Sequence, residues 1–346
     1  MGDKMLGLFK YYRSEKQADL ALSQWDDEYF QKDPDLIYIS VIKSRKWWYH
    51  FELEFARKGG KNDRLGIPVD IPEYLPIRNK NLTSVSSSKE LKIKTRIIDA
   101  DDVSNIDENK SVDFMYDPVI QGGKSVSNYP RRYGGTLGCV FYLKGIEGMF
   151  GVSNHHVLQD NNSERIDDIF NPRVKGLTNN DLESARSGYL VWDKFKPFID
   201  AAFYRIEDED RVKSGLKNGD HLCGLNRRPK RGLKIKKTGF KTNDTTGIIR
   251  SRNTTVRVSV HGVKSLFKKQ IQSSKISNSG DSGSIVYDCN KHVVGLLFAD
   301  DKRSDDGFSY INNINYLFNY KFETTEYLHL PKGKIPFEKF EIESFV

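Results

Sequence analysis

The stretch Gly280-Asp281-Ser282-Gly283-Ser284 places a serine between two glycines, directly before the apolar run Ile285-Val286-Tyr287. Glycine adopts backbone angles that other residues avoid, so such a turn can present the Ser282 hydroxyl to a substrate at close range. The N–H groups of Gly280 and Ser282 can then point together at the oxygen of a tetrahedral intermediate, which stabilises acyl transfer electrostatically. The stretch therefore predicts a serine nucleophile, provided that a base and an orienting carboxylate lie upstream.

Two upstream segments supply these groups. Ser153-Asn154-His155-His156-Val157 is predicted to end a strand in a polar turn, and histidine suits a general base because it titrates near neutrality. Further along, Asp200 opens the apolar run 201–206, where a carboxylate can be partly buried and hold an imidazole in one tautomer. The order His156, Asp200, Ser282 is the order used by two-barrel serine proteases.

Alternatives stay open at each of these positions. His155 competes with His156 as the base. Other carboxylates compete with Asp200, although none opens so regular an apolar strand. The competing carboxylates are Asp167, Asp168 and Asp193. For Ser282 the alternatives are an ordinary hairpin turn and a protease fold that has lost its activity and serves as a binding scaffold.

These motifs together resemble those of the trypsin-like serine peptidases. Ser153 to Val157 resembles the small-Asn-x-His-Val pattern of that family, and Gly280 to Gly283 resembles its nucleophile loop. A closer resemblance, over roughly residues 118 to 320, is to the bacterial peptidases related to the narrow-leaf protein of plants. The further segments that carry it are Gly135-Thr136-Leu137-Gly138, Asp200-Ala201-Ala202, Thr245-Thr246-Gly247 and Val294-Gly295-Leu296-Leu297-Phe298-Ala299.

The resemblance implies a mainly β fold, with two six-stranded antiparallel barrels preceded by a small α/β N-terminal domain. It also implies roles: His156 is the base, Asp200 the orienting acid, and Ser282 the nucleophile, with Gly280 and Ser282 forming the oxyanion hole. No metal or organic cofactor is expected. The sequence departs from the pattern at His155, where such proteins usually carry Asn or Ala, and at Ser279, where the closer relatives often carry proline.

The pattern along the chain predicts four parts. Residues 1–98 are predicted to form an α/β accessory domain, and the acidic segment 99–117 a linker. In residues 118–320, short apolar runs alternate with turn residues, which indicates an all-β protease domain, here closed by a helix at 311–320. Residues 321–346 form a C-terminal tail. The elements predicted in the accessory domain are a helix at 14–31 and strands at 36–42, 47–55 and 91–98.

Composition limits the class of protein. A chain of 346 residues with 37% apolar residues suits a globular protein with a large core. Cys139, Cys223 and Cys289 lie far apart, which argues against a disulfide framework or a zinc site and for a reducing compartment. The charged N-terminus and the lack of an apolar run of about 18 residues predict neither a signal peptide nor a membrane span. The expected location is the cytoplasm.

The expected substrate is a protein or peptide. Residues that follow the nucleophile loop form the substrate wall in similar enzymes, and the net charge of +8 favours acidic surfaces without naming a partner. A regulatory protein, or a second copy of the chain, is a possible partner of the N-terminal domain. The residues predicted to bind substrate are Asn278, Phe298, Ala299 and Asp300.

The basic run 227–237 has two interpretations. It can bind an anionic partner, but Leu233 and Ile235 alternate with lysines, which favours a solvated loop that enters a half-exposed strand. No aromatic residue interleaves with the charges, as a groove for single-stranded nucleic acid would require. Nucleic acid and membrane are therefore not expected partners.

Activation also has two interpretations. The segment Pro118 to Gly123 resembles the Ile-x-Gly-Gly start of mature trypsins, in which a newly freed ammonium group pairs with the aspartate before the nucleophile, here Asp281. Cleavage before Ile120 would then switch the enzyme on. The favoured alternative is a tight Gly-Gly turn that enters the barrel without any cleavage.

Overall fold

The computed structural model describes residues 15–43, 51–58, 74–76, 92–99, 103–105, 118–128, 134–159, 168–172, 179–260, 263–301, 307–318, 325–331 and 333–346. Within these ranges the protein is mainly β and contains two large, barrel-like sheets. The predicted fold class is confirmed. Residues 47–50 of one predicted strand, together with His50, His261 and Asp167, lie outside the described residues.

An amphipathic helix opens the described chain. In α1 (Glu15–Lys32) apolar residues recur three and four positions apart, so one face is buried. That face packs on β1 (Leu36–Lys43) and β2 (Phe51–Arg57), which pair antiparallel. β3 (Tyr74–Pro76) pairs with β4 (Lys92–Asp99), which runs parallel to β2. The predicted helix at 14–31 and the predicted strands at 36–42 and 91–98 agree with these elements to within one residue at each end.

The N-terminal strands continue a sheet of the second half of the chain. β1 pairs antiparallel with β17 (Asn243–Val260), and Ile39 lies opposite Thr255. Part of the predicted acidic linker also joins this sheet, since β5 (Val103–Asn105) pairs with β17 and with β20 (His292–Asp301). The domain boundaries stay a prediction, but backbone hydrogen bonds connect β4, β2, β1 and β17 without a break.

The first barrel-like sheet takes β24 from residues 342–345 and its other strands from residues 125–206, and has the strand order β24-β9-β10-β13-β12-β11-β7-β8. Its core is aromatic, with the Phe141 and Phe203 ring centroids 5.1 Å apart. Two short helices, α2 (His155–Leu158) and α3 (Asn179–Ala185), interrupt the strands, and β6 (Ile120–Gly122) pairs with β14 (Val212–Leu216) at one side. The strands are β7 (Ser125–Asn128), β8 (Gly135–Thr136), β9 (Cys139–Leu143), β10 (Met149–Ser153), β11 (Asp168–Phe170), β12 (Arg186–Lys196), β13 (Ile199–Ile206) and β24 (Ile342–Phe345).

The second barrel closes as a ring. Its strands follow the order β16-β19-β20-β21-β18-β17, and β16 also pairs with β17, so the ring has no open edge between them. β15 (Gly224–Leu225) lies parallel to β20 at its first residues. The remaining strands of the ring are β16 (Lys234–Gly239), β18 (Val263–Ser274), β19 (Ile285–Asp288) and β21 (Phe308–Asn313).

The predicted helix at 311–320 is wrong. Ile311 belongs to β21, where it pairs with Ile271 on one side and with Leu297 on the other. A 3₁₀ turn (Ile314–Tyr316) follows the strand. The apolar residues Ile311, Ile314 and Phe318 are spaced as on a helical face, but the register of the barrel holds the first of them in a buried strand.

The C-terminal segment adds strands to the body of the protein. β22 (Glu326–Leu330) and β23 (Gly333–Phe337) form a hairpin, and β24 extends the first sheet beside β9. Phe340 is buried, and its ring packs 4.9 Å from that of Trp192. In the described part of the chain, none of the helices has the length and apolarity needed to span a bilayer.

Candidate active site

The structure brings the three predicted catalytic side chains together between the two sheets. His156 Nδ1 lies 2.5 Å from Asp200 Oδ2, and His156 Nε2 lies 3.0 Å from Ser282 Oγ. Asp200 lies in β13 of the first sheet and His156 in α2, directly after β10 of that sheet, whereas Ser282 precedes β19 of the second. The side chains of His156 and Asp200 are fully buried, as is Ser282. This is the hydrogen-bonded arrangement that a serine nucleophile, its base and an orienting acid require; the catalytic roles themselves stay a prediction.

Local structure around α2 fixes the imidazole. The backbone N–H of His156 donates to Asp200 Oδ1 at 3.2 Å, so the carboxylate contacts both the main chain and the ring of the same residue. Asn154, just before the helix, donates from Nδ2 to the carbonyl of Asp200 at 2.7 Å. With Asp200 held in this way, the imidazole of His156 is oriented with Nδ1 towards Asp200 and Nε2 towards Ser282.

His155 occupies a different place from His156. Its Nδ1 lies 2.8 Å from Asp193 Oδ2, and its ring centroid lies 5.3 Å from that of Phe195. The rival carboxylate Asp168 pairs with Arg186 at 2.8 Å. The structure thus brings His156 and Asp200, rather than these alternatives, to Ser282.

Two opposing effects act on the Asp200 carboxyl. Burial raises its pKa, but the adjacent His156 and the hydrogen bonds from its ring and backbone lower it, and the net direction is downward from the ordinary value. Asp200 is therefore ionised at neutral pH. A buried carboxylate in this state stabilises the positive charge that an imidazole acquires when it takes a proton.

The nucleophile loop sits in close contact with the first sheet. Thr136 of β8 donates from its backbone N–H to the carbonyl of Ser282 at 2.7 Å and from Oγ1 to the carbonyl of Gly280 at 2.9 Å. A Cβ on Gly135 would lie 2.6 Å from the Ser282 carbonyl oxygen, so glycine permits this approach. Gly283 has φ of +91° and faces Ser153, so a side chain would not fit there either.

The N–H groups of Gly280 and Ser282 are the predicted oxyanion donors. Within the described ranges, neither the N–H of Gly280 nor that of Ser282 has a protein acceptor, although their neighbours Asp281 and Gly283 do. Gly280 adopts φ of +101°, which L side chains rarely take. The two donors are available for an oxygen that forms beside Ser282.

A buried ion pair holds the residue before the nucleophile. Lys237 Nζ lies 2.9 Å from Asp281 Oδ2, and both side chains are fully buried. The other Asp281 oxygen accepts from the N–H groups of Lys241 and Thr242, each at 3.1 Å. Lys237 belongs to the basic run 227–237. The sequence favours a solvated loop and a half-exposed strand for this run. In the structure every second residue from Leu233 points inward, and Lys237 is one of these residues.

The predicted substrate-binding residues lie on both sides of the nucleophile loop. Asn278 is exposed, and its N–H donates to Asp281 Oδ2 at 3.1 Å. Phe298 and Ala299 are fully buried in the second barrel. Their backbone nevertheless lies near the nucleophile, since the Ser282 hydroxyl is 3.4 Å from the Phe298 carbonyl oxygen.

Asp300 is largely buried and has its own partners. Its Oδ2 accepts from the Ser277 hydroxyl at 3.2 Å and lies 3.5 Å from Lys275 Nζ. Burial raises the pKa of Asp300 to about 7, against the opposing effect of Lys275. The carboxylate is therefore engaged with the barrel rather than presented as an unpaired charge.

Two residues that sequence reasoning missed hold the segment around Asp200. The backbone N–H of Asp200 donates to Asn312 Oδ1 at 2.7 Å, and Asn312 Nδ2 donates to Gln270 Oε1 at 2.9 Å. Gln270 Nε2 in turn donates to the carbonyl of Phe198 at 3.1 Å. Both side chains come from the second barrel and are buried. Nothing in their local sequence marks them, because the contacts span 42 to 112 positions.

Comparisons with known proteins give matches among solved structures. No protein-family model and no curated protein sequence matches this chain. Protease A of Thermobifida fusca is similar at 19% identity, over 57% of this chain and 92% of that one, with a TM-score of 0.43. A Cellulomonas bogoriensis chymotrypsin is similar at 18% identity, over 58% and 93%, with a TM-score of 0.40. A Nocardiopsis protease is similar at 17% identity, over 57% and 93%, with a TM-score of 0.42.

The arrangement of the two sheets and of three buried side chains defines the class of fold. Two barrel-like sheets meet at a buried Ser-His-Asp group, with the histidine and aspartate on the first and the serine on the second. The chain has a trypsin-like serine protease fold. Among the described residues, no cluster of three His, Cys, Asp or Glu side chains is placed to hold a metal ion.

Lys237→Met tests the buried ion pair. The variant leaves Asp281 buried without its cation, and we expect the free energy of unfolding to fall by about 3 kcal/mol in urea denaturation. The double variant Lys237→Met, Asp281→Asn should be more stable than the sum of the two single changes predicts. Strictly additive changes would show that the two side chains do not stabilise each other.

Asn312→Ala tests the support of Asp200. Loss of the acceptor leaves a buried N–H unpaired, and we expect the maximal rate at which a fluorophosphonate modifies Ser282 to fall about tenfold. The probe concentration that gives half the maximal rate should stay unchanged, since Asn312 does not line the nucleophile. Asn315→Ala is the matched control, because Asn315 bonds to Arg227 and Asn313 instead. Equal rates for the two variants would contradict this role.

Asp300→Asn tests the effect of pH on stability. Because the folded pKa of about 7 exceeds the ordinary value of 3.8, the folded state binds the extra proton between these values. The contribution to stability is full below the lower value and is lost as pH rises through the upper one. We expect the urea midpoint of the wild type, relative to that of the variant, to fall between about pH 4 and about pH 7. A difference between the two midpoints that does not change with pH would contradict the raised pKa of Asp300 in the folded state.

Proposed function

We propose that this protein is a serine endopeptidase that acts through Ser282, His156 and Asp200. The observation that carries the proposal is the continuous chain of hydrogen bonds from Asp200 through His156 to Ser282, at 2.5 and 3.0 Å. The available N–H groups of Gly280 and Ser282 support it. A serine with a purely structural role does not require both a hydrogen-bonded histidine and a pair of N–H donors for an oxyanion.

The reaction uses these groups in two stages. Ser282 Oγ forms a bond to the peptide carbonyl carbon while its proton passes to His156 Nε2, and Asp200 holds the opposite side of the ring. The N–H groups of Gly280 and Ser282 donate to the oxyanion. When the C–N bond breaks, His156 returns the proton to the leaving amine. Water then hydrolyses the acyl-enzyme by the same route, with His156 as base.

The competence of the nucleophile loop does not depend on cleavage before Ile120. In the uncut chain Lys237 already supplies the cation that a freed ammonium group would bring to Asp281, and Ile120 is itself buried in β6. These contacts favour the interpretation of residues 118–123 as a turn that enters the barrel. The pair supports an enzyme whose triad is assembled in the full-length chain.

The proposal also covers the location, the substrate, the relatives and the partners of the enzyme. We place the enzyme in the cytoplasm, acting on a protein or peptide substrate, and relate it to the bacterial peptidases similar to the plant narrow-leaf protein. The N-terminal unit is the proposed site for a regulatory protein or a second copy of the chain. Its strands are continuous with the second barrel, and Lys268 of β18 contacts Asp26 of α1 at 3.3 Å.

The test is covalent labelling of the full-length protein with a fluorophosphonate, read by intact mass. We expect the wild type to gain one probe at the uncut mass and Ser282→Ala to gain none. Ser284→Ala is the matched control, since Ser284 lies in the same loop but donates to the Asp281 carbonyl rather than contacting His156. Absence of label from folded wild type would favour a binding scaffold, and label only after cleavage would favour a zymogen.

A further inference from the structure

The strand after the nucleophile loop has two edges with different neighbours. Along one edge, β20 pairs with β21, so that Ala299 lies opposite Tyr310 and Asp300 opposite Ser309. Along the other edge, β20 first pairs with β19 and then meets the nucleophile loop, where the Gly283 N–H donates to the Leu297 carbonyl at 2.9 Å. Beyond Phe298, this second edge is where an extended substrate can add as a strand next to Ser282.

That part of the edge is occupied by the chain's own backbone. β5 pairs antiparallel with β20, and Asn105 lies opposite Ala299, Ser104 opposite Asp300, and Val103 opposite Asp301. A strand has only two edges, and β21 already fills the first. β5 therefore lies on the edge that Ser282 shares. A single residue step, about 3.3 Å, separates the Ala299 position from Phe298 beside the nucleophile.

The direction of β5 is that of a bound substrate. As the chain runs from Val103 to Asn105, its partners run from Asp301 back to Ala299, so the chain advances towards Ser282. A peptide that pairs antiparallel with residues 299–301, as β5 does, runs the same way. β5 is also held on its other side, where it pairs parallel with Val258 and Ser259 of β17.

The burial of the catalytic groups is consistent with a closed site. Ser282 is 0% exposed and His156 is 3% exposed. A peptide substrate must bring a carbonyl carbon into contact with Ser282 Oγ and extend its own backbone on both sides. The low exposure of both residues indicates that the described arrangement does not present Ser282 to such a peptide.

We propose that β5 is an internal pseudosubstrate strand, which occupies the substrate-binding edge of β20 and competes with peptide substrates for it. The inference rests on the proposed peptidase function and adds its regulation. The occupant is the segment Val103–Asn105, and the competitor is any extended peptide that pairs with residues 299–301. Displacement of β5, by substrate or by a partner that binds the preceding segment, opens the site.

The experiment compares the full-length wild type with Ser104→Pro. Proline has no N–H and cannot take its place in a central strand ladder, so the variant weakens β5 without altering the triad. Two measurements are made: the extent of labelling by a small dialkyl fluorophosphate, and the rate of hydrolysis of fluorescently labelled casein over a range of concentrations. A synthetic peptide of residues 101–107 is then added to the variant, with a scrambled peptide as control.

We expect both chains to take up one equivalent of the small probe, which establishes a competent triad in each. The KM for casein should fall roughly tenfold in Ser104→Pro at unchanged kcat, because the competing strand no longer reduces the fraction of open enzyme. The 101–107 peptide should restore the higher apparent KM, and the scrambled peptide should not.

Other results separate the two proposals. Labelling of neither chain would overturn the proposed function. Labelling of both chains with equal KM values would leave the peptidase and overturn the pseudosubstrate strand. Loss of labelling in Ser104→Pro alone would also overturn it, since β5 would then be needed to build the site. Excision of residues near 105 in the wild type, seen by intact mass, would make the segment a substrate instead of an inhibitor.

Discussion

The structure depends on the contact between the nucleophile loop and β8. His156 follows a strand of the first sheet and Ser282 precedes a strand of the second, so the 3.0 Å distance between them is set by how closely the sheets approach. That approach is fixed by the Thr136 bonds to the Ser282 and Gly280 carbonyls, at 2.7 and 2.9 Å. Glycine at position 135 allows the two backbones to come this close. An error of about 1 Å at this contact would be enough to separate base from nucleophile.

Polar side chains of the second barrel also hold the part of the first sheet that carries Asp200. Asn312 and Gln270 hold the backbone around Asp200, and β18, which carries Gln270, also carries Lys268, whose side chain contacts α1. The position of the orienting acid is thus linked by direct contacts to the N-terminal helix.

The sequence predicts those features of the site that local patterns encode. Gly280 to Ser284 and Ser153 to Val157 are short motifs whose residue types are needed together, and Asp200 is marked by the strand that it opens. Lys237, Asn312 and β5 carry no such mark. Their roles arise only when strands far apart in the chain are brought into register.

The wrong prediction of a helix has a similar origin. The apolar spacing at 311–320 fits a helix as well as a strand, and only the pairing of Ile311 with β18 and β20 decides between them. The linker predicted at 99–117 stays a prediction, but residues 103–105 within it form β5 although the segment has little apolar periodicity. A strand that is held by backbone hydrogen bonds on both sides, as β5 is, does not require that periodicity.

The pairing of β1 with β17 also has a consequence for biosynthesis. Ser40 and Thr254, which meet in that pair, are 214 positions apart. At the usual rate of translation, a ribosome needs roughly 10 to 40 s to make the intervening chain. During that time β1 is an almost wholly apolar strand without its final neighbour. An apolar strand that waits this long for its neighbour is exposed to association with other chains, more than a strand that pairs locally.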